Sequence, residues 1–565
     1  MLDWLARLLS RDSGRGERPV AAKPSTISGD SRDIEVQAAF ARGRALFDAQ
    51  RWEEAAREFA AAVEAKHDWA DPHHKLGVCM YRLGRLEEAS DAYAMALCFS
   101  DRPARIYFDL ACVERKQGKA DVALASIQRA LDEGENTTEG YSLKGELLLE
   151  AGDVDGAIVA FEQAVVLGPE NAVAHSSLGY LLYRDRGDYD RGSVHITRAV
   201  ELQPFNLQNL CNQAMILADR GDPEEALSLC NSILTVRPDT HAVRLNRGLV
   251  LLKLGRFEAG WPDYEARKLV RSNYVSRDLP WPEWRGEPLQ GKTLLIHGEQ
   301  GLGDEVMFAS CIPEIMDQAD GCVIECAPRL ETLFRRAFPA ATVVPGKQTS
   351  ARPAWIDRTP KIDLQISSGS LPLRLGRDWD SFPQHRGYLR PDPARAERWR
   401  RQLDELGPGL KVGLSWRGGL PSTRRTLRSI ELSALLPLWS VPNTHFIDLQ
   451  YGDAIEERRR LTADQGVILH SWSGVVDDLD ETAALMSQLD LVISVCTAVI
   501  HFAGALGRNV WVLVPTVPEW RYQAHGENIP WYPSARLIRQ SVAGDWSAVI
   551  DEAASRLEQR VRVSE

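Results

Sequence analysis

A chain of 565 residues is too long for one hydrophobic core, and with 44% apolar and 26% charged residues it has the composition of an ordinary soluble protein of several domains. Its formal charge of -12 argues against nucleic acid as a partner, because phosphate contacts need concentrated Lys and Arg, but leaves room for a local basic pocket. The nine cysteines are odd in number, scattered and mostly within apolar segments, which reads as reduced thiols in a cytoplasmic protein rather than a disulfide framework or a metal site.

The first residues, MLDWLARLLSRDSGRGERP, carry an early acid and lack the unbroken apolar core of a signal peptide. Residues 1–34 are expected to be a flexible segment holding a short amphipathic helix (Trp4, Leu5, Leu8, Leu9). No transmembrane segment is expected: the longest apolar stretch, LVISVCTAVIHFAGALG, is interrupted by His501 and glycines and reads as a buried strand running into a helix.

From residue 35 to 270 the chain repeats. Gly43, Gly77, Ala111, Gly145, Gly179, Ala214 and Gly248 are spaced 34, 34, 34, 34, 35 and 34 residues apart. A second small residue follows most of them by twelve positions (Ala55, Ala89, Ala123, Ala157, Ala226, Gly260), with Gly192 displaced by one. Four residues later comes a bulky one (Phe59, Tyr93, Ile127, Phe161, Ile196, Cys230, Tyr264). Small residues at these offsets let antiparallel helices approach closely, and the bulky residue is expected to fill the gap between successive hairpins. The pattern resembles tetratricopeptide repeats, which implies a right-handed α-solenoid of about seven units whose groove suits a protein partner. Asn212 and Asn246 hold equivalent places two before the small residue, where their amides would face the groove and pair with an acceptor peptide's backbone. This resembles a two-rung version of the asparagine ladder of O-GlcNAc transferase.

A Pro- and Trp-rich connector (271–290) leads to short β-rich runs alternating with helices: TLLIH, CVIEC, TVV, then KVGLSW, HFIDLQ, VILHSW, LDLVISV and VWVLV. Such alternation predicts two α/β units with parallel sheets, residues 291–390 and 391–565, and a cleft at the strands' C-terminal ends.

After TLLIH, the corner GEQGLGDEVMFAS fits neither nucleotide-binding glycine fingerprint and gathers Glu299, Asp304 and Glu305 without a Lys or Arg. Asp304 suits a general base, and equally a helix N-cap. The second unit supplies positive charge in SWRGGLPSTRRTLRS, with Trp416, Arg417, Gly418, Arg424 and Arg428. A helix beginning near Thr497 and Ala498 offers free backbone N–H groups to an anion. Gln450 would contact ribose or base. His501 reads either as reaching a phosphate or as a packed core histidine, and Trp520, Arg521 and Tyr522 would close the donor pocket. The DWD at 378–380 lacks the strand context of a metal-binding DxD.

EQGLGDEVMFAS, SWRGG with RSI, and SVCTAVIHFAGALG followed by VWVLVP and PEWRY resemble, in this order and over about residues 36–545, bacterial fusions of tetratricopeptide repeats to a heptosyltransferase-like, family-9-like glycosyltransferase. The resemblance implies a GT-B fold of two Rossmann-like domains, the first presenting the acceptor and the second binding a nucleotide-sugar. It also implies inverting transfer without metal or other cofactor. Asp304 falls on the family's proposed general base, with Glu299 and Glu305 as further carboxylates. The expected acceptor is a Ser or Thr of a protein recruited by the repeats, flagellin or another surface protein. Cys496 stands where relatives often carry Asp, which keeps open a scaffold that has lost catalysis; a transferase acting on a glycan is the other alternative.

Overall fold

The computed structural model describes residues 29–270, 277, 279–346, 353, 355–419 and 425–564. Trp4 and its neighbours, Arg424 and part of the connector lie outside the described residues. The described residues form two compact units, one running up to Leu182 and taking in Val194–Phe205, the other combining Tyr183–Ser193 with everything from Asn206 onward.

The repeat region consists of fourteen helices in seven antiparallel hairpins. They are α1 (Gly29–Asp48), α2 (Trp52–Ala65), α3 (Ala70–Arg82), α4 (Leu86–Phe99), α5 (Ala104–Lys116), α6 (Ala120–Asp132), α7 (Thr138–Glu150), α8 (Val154–Leu167), α9 (Ala172–Leu181), α10 (Tyr189–Leu202), α11 (Leu207–Arg220), α12 (Pro223–Val236), α13 (His241–Lys253) and α14 (Phe257–Tyr264). α1 begins at Gly29, inside the stretch read as a tether.

The bulky signature residue packs inside its own hairpin as well as against the next one, where Phe161 joins Leu178 and Leu181. A Cβ on Gly77 would lie 2.5 Å from Tyr93 Cε1, and one on Gly43 2.7 Å from Phe59 Cε1. The glycine is therefore the socket and the ring the plug, which is why the two positions keep a fixed spacing. The single 35-residue interval also has a structural form. The extra residue between Gly179 and Gly192 is absorbed as a π-helical turn, Leu182–Arg186, at the end of α9.

Two all-parallel sheets follow. The first has β1 (Thr293–His297), β2 (Gly321–Cys326), β3 (Thr342–Pro345) and β4 (Leu364–Ser367) in the order β3-β2-β1-β4. The second has β5 (Leu410–Ser415), β6 (Thr444–Asp448), β7 (Leu469–His470), β8 (Leu491–Val495), β9 (Val510–Val514) and β10 (Ala535–Arg539) in the order β10-β9-β8-β5-β6-β7. β8 and β9 are buried at every residue, as strands covered by helices on both faces require. Two strands escape the sequence reading. β4 is only four residues long, and β10 breaks its apolar run with Arg536 and Arg539; VILHSW, conversely, yields just the two residues of β7.

The last repeat is built into the second compact unit. Trp261 of α14 meets Trp520 edge-on at 5.7 Å and Trp531 at 6.3 Å, and its indole N–H donates to Arg377 O at 2.8 Å. Just beyond α14, Arg267 is buried with Glu299, in a pair joined by Ser367 and Ser370 from the end of β4.

Candidate active site

β1 ends in His297, and the chain turns through Gly298–Gln300 into the short helix α15 (Leu302–Phe308). Gly301 occupies the N-cap position, so Asp304 is not the cap; its carboxylate turns outward to Arg521. Gly303 permits a close approach to the second sheet's side of the cleft, since a Cβ there would sit 3.0 Å from His501 Cδ2 and 3.5 Å from Ala498 Cα.

The three acids of the corner separate sharply. Glu299 is held by Arg267 at 2.8 and 3.1 Å and accepts the Gly369 N–H at 2.7 Å, with 2% of both charged side chains exposed. Glu305 is buried and accepts the Ala327 N–H at 2.8 Å. Both carboxylates are therefore engaged in holding the corner, while Asp304 alone of the three lines a cavity of about 600 Å³.

That cavity has three walls. Gly303, Asp304 and Gln300 form the first, with Tyr264 beside them. Gly419, Arg428, Cys496, Thr497, Ala498 and His501, with the 3₁₀ turn Trp520–Tyr522, form the second. The third comes from the last two repeats, with Met215, Ala218 and Asp219 on α11 and Leu245, Leu249 and Lys253 on α13. Asn212 and Asn246 are not among its lining residues. Asn212 Oδ1 accepts from Gln208 Nε2 at 3.0 Å, and Asn246 Nδ2 donates to Cys211 O at 3.4 Å, so these amides bond within the helix layer.

Charge runs along the second wall in a chain. Arg521 Nε donates to Asp304 Oδ1 at 2.7 Å, and its Nη2 reaches the same oxygen. Arg521 Nη1 donates to Glu519 at 2.8 Å, and the other oxygen of Glu519 pairs with Arg428 at 3.2 Å. Arg428 also donates to Cys496 O at 3.0 Å. Burial pushes the Asp304 carboxyl above its ordinary range, and the Arg521 charge only partly offsets this. For Arg521, burial works against the charge, but Asp304 and Glu519 outweigh it and keep the guanidinium protonated.

Thr497 caps α16 (Ala498–Ala505), accepting the Val499 N–H at 3.3 Å. Burial holds the Cys496 thiol far above its usual range, so it is neutral. Burial, with the Arg521 charge, likewise lowers His501 to about 3. Its ring is neutral at physiological pH and meets the Tyr532 hydroxyl at 3.1 Å, which gives it the packed character rather than a charge to offer a phosphate.

A second cavity of about 660 Å³ adjoins the first, sharing Gly303, Gly419, Tyr451 and Ala498. Its floor is apolar, with Leu449, Val476, Leu479, Met486 and Phe502, and Arg417 and Gly418 stand at its edge. Gln450 lines it too, but its amide is heavily engaged: Oε1 accepts from the Trp416 and Arg417 N–H groups at 3.0 and 2.8 Å, and Nε2 donates to Tyr451 O at 2.9 Å. Gln450 thus locks the loop after β5 against the end of β6. Trp416 is fully buried and donates to Glu457 at 2.7 Å. The DWD carboxylate of Asp378 caps its own turn, accepting from Asp380 and Ser381 N–H groups. Among the described residues no group of three His, Cys, Asp or Glu side chains is placed to hold a metal ion, and no helix is long and apolar enough to cross a membrane.

Sequence reasoning overlooked Glu519, Asp219 and Lys253. The last two were legible in principle: they stand 34 residues apart, at the same place in consecutive repeats, and pair at 2.9 Å.

The tetratricopeptide repeat family matches residues 40–104, 108–172, 142–206 and 211–267. Protein FlbA of Caulobacter vibrioides is 30% identical over 500 residues, which span 86% of this chain and 83% of FlbA. BBSome complex member BBS4 of Bos taurus is 24% identical over 229 residues, 40% of this chain and 43% of that protein. Among solved structures, YrrB, a tetratricopeptide repeat protein with an unusual peptide-binding site, is 21% identical, with a TM-score of 0.31, covering 33% of this chain and 96% of its own.

Proposed function

The chain belongs to the family of Protein FlbA of Caulobacter vibrioides, and from that premise and the geometry of the cleft we propose that it is a glycosyltransferase of GT-B architecture. It moves a sugar from a nucleotide-sugar to a Ser or Thr hydroxyl of a protein recruited by the repeats. The observation that carries this reading is the position of Asp304. It is the one corner carboxylate open to the cavity, where it meets Arg521 and shares the space with Arg428 and the start of α16.

In this reading the nucleoside lies in the apolar second cavity and its diphosphate crosses to the N–H groups at Thr497–Ala498 and to Arg428. The sugar's anomeric carbon then points into the first cavity. The acceptor hydroxyl enters along the wall of α11 and α13 and gives its proton to Asp304 as its oxygen attacks. The new C–O bond forms as the bond to the diphosphate breaks, and the electron pair leaves with the diphosphate. Partial burial favours Asp304 for this role because it raises the carboxyl's affinity for the proton. Protein rather than glycan is favoured as acceptor because two repeat helices form a wall of the reaction cavity itself.

Intact-protein mass spectrometry of abundant secreted and surface proteins tests this, comparing a host carrying the wild type with one carrying Asp304→Ala at equal level. A discrete sugar mass that disappears in the variant is the expected result. Identical spectra for the wild type, the variant and a gene deletion would remove protein glycosylation from consideration in the proteins sampled.

A further inference from the structure

The base assigned above is not free: its carboxylate is held by Arg521, and the same guanidinium lies on the wall where a diphosphate would bind. We propose that Arg521 is a gating residue that donor binding transfers from Asp304 to the diphosphate, so that the base is unmasked only when a donor is in place. This rests on the glycosyltransferase reading and adds an order of events to it.

Three observations support the exchange. The pair is accessible from the cavity, with 15% of the Arg521 side chain and 18% of the Asp304 side chain exposed. The backbone carrying Arg521 is fixed. Ala524 N donates to Lys253 O at 2.8 Å, and Arg539 donates to the Tyr522, Gln523 and Gly526 carbonyls at 2.7 to 3.1 Å. Gln523, two residues after Arg521, is buried and held at φ 57°, a conformation non-glycine residues rarely adopt, and such strain persists only where surrounding contacts impose it. Only the side chain is therefore left to move. Finally, Arg521 and Arg428 share Glu519, so an anion settling on Arg428 meets Arg521 a short swing away.

The energetics favour the exchange. A guanidinium prefers a multiply charged diphosphate, to which it can donate two bonds, over a single carboxylate oxygen. Once Arg521 has left, burial acts on Asp304 without the compensating charge, and its capacity to accept a proton rises. An empty site, by contrast, keeps the carboxylate in an ion pair that competes with proton uptake. Arg521 acts on the proton transfer through Asp304 and on the donor directly.

Calorimetric titration of the full chain with ADP, UDP and GDP tests this. At least one is expected to bind the wild type; if none binds the wild type or Asp304→Asn, the glycosyltransferase reading falls and the gate with it. With the nucleotide that binds, Asp304→Asn is expected to tighten binding on the order of tenfold, the size of coupling between contacting charged side chains. Arg521→Gln is expected to weaken it and to abolish the effect of Asp304→Asn. The charge-preserving Arg521→Lys restores part of that effect, which a merely structural arginine would not do. Tightening that persists undiminished in the Arg521→Gln background would mean simple repulsion between Asp304 and the diphosphate, and would overturn the gate while leaving the transferase reading intact. No change on Asp304→Asn in the wild-type background would overturn it as well.

Discussion

Asp219 and Lys253 meet at 2.9 Å on the wall of the first cavity, from equivalent positions of α11 and α13. The Asp219 side chain is only 6% exposed and also accepts the Tyr183 hydroxyl at 2.8 Å. Lys253→Met would take the lysine's charge away from that buried carboxylate, at a cost of roughly 3 kcal/mol. Urea unfolding followed by fluorescence checks this: the midpoint should fall for Lys253→Met and recover in large part when Asp219→Asn is added.

Two acids of the corner should fail in different ways. Asp304→Asn should leave thermal stability near wild type and lower the transfer rate by about 10²- to 10⁴-fold, as the proposed general-base role requires. Glu299→Gln breaks a buried pair with Arg267, and should cost roughly 3–5 kcal/mol of stability. Melting temperature and single-turnover rate measured on the same preparations separate the two. If Glu299→Gln melts like the wild type but loses transfer, the assignment of roles is reversed.

Gly77 faces the ring of Tyr93 with no room for a methyl group. Gly77→Ala should destabilise the chain by about 1–3 kcal/mol through overpacking, and Tyr93→Leu in the same chain should restore part of the loss. Denaturant midpoints of Gly77→Ala, Tyr93→Leu and the double variant give the coupling directly.

His501 sets a pH limit on stability. Its folded-state value, about 3, lies below the ordinary value of about 6.5, so between these values the unfolded chain binds the extra proton. Its contribution is therefore complete above about pH 6.5 and is lost as pH falls toward 3. Between pH 6.5 and 5 the wild type should lose roughly 2 kcal/mol more than His501→Asn, measured as the difference in urea stability at the two pH values.

Periodicity made the helical part of the fold legible, because each repeat restates the same packing problem and the answer recurs every 34 residues. Even the irregular interval was readable as an insertion, although its form as a π-turn was not. The sheets were legible where strands are continuous apolar runs, as at β8 and β9, and lost at β10, where arginines interrupt the pattern. The corner's acidity was plain in the sequence, but which acid faces outward was not. That depends on Arg267 and on the Ala327 N–H, residues distant in the chain whose approach no local pattern encodes. The same holds for Gln450, which lines the second cavity but whose amide is drawn to the backbone of the loop after β5.

The last hairpin and the turn that follows it share an aromatic cluster and a buried ion pair with the residues around the sheets, while the first five hairpins form most of the other compact unit. Repeat arrays are usually treated as interchangeable parts, to be shortened or swapped at will. Here modularity stops near residue 206. An exchange of repeats made upstream of that point leaves the lining of the first cavity untouched, whereas one made downstream removes a side of the chamber itself.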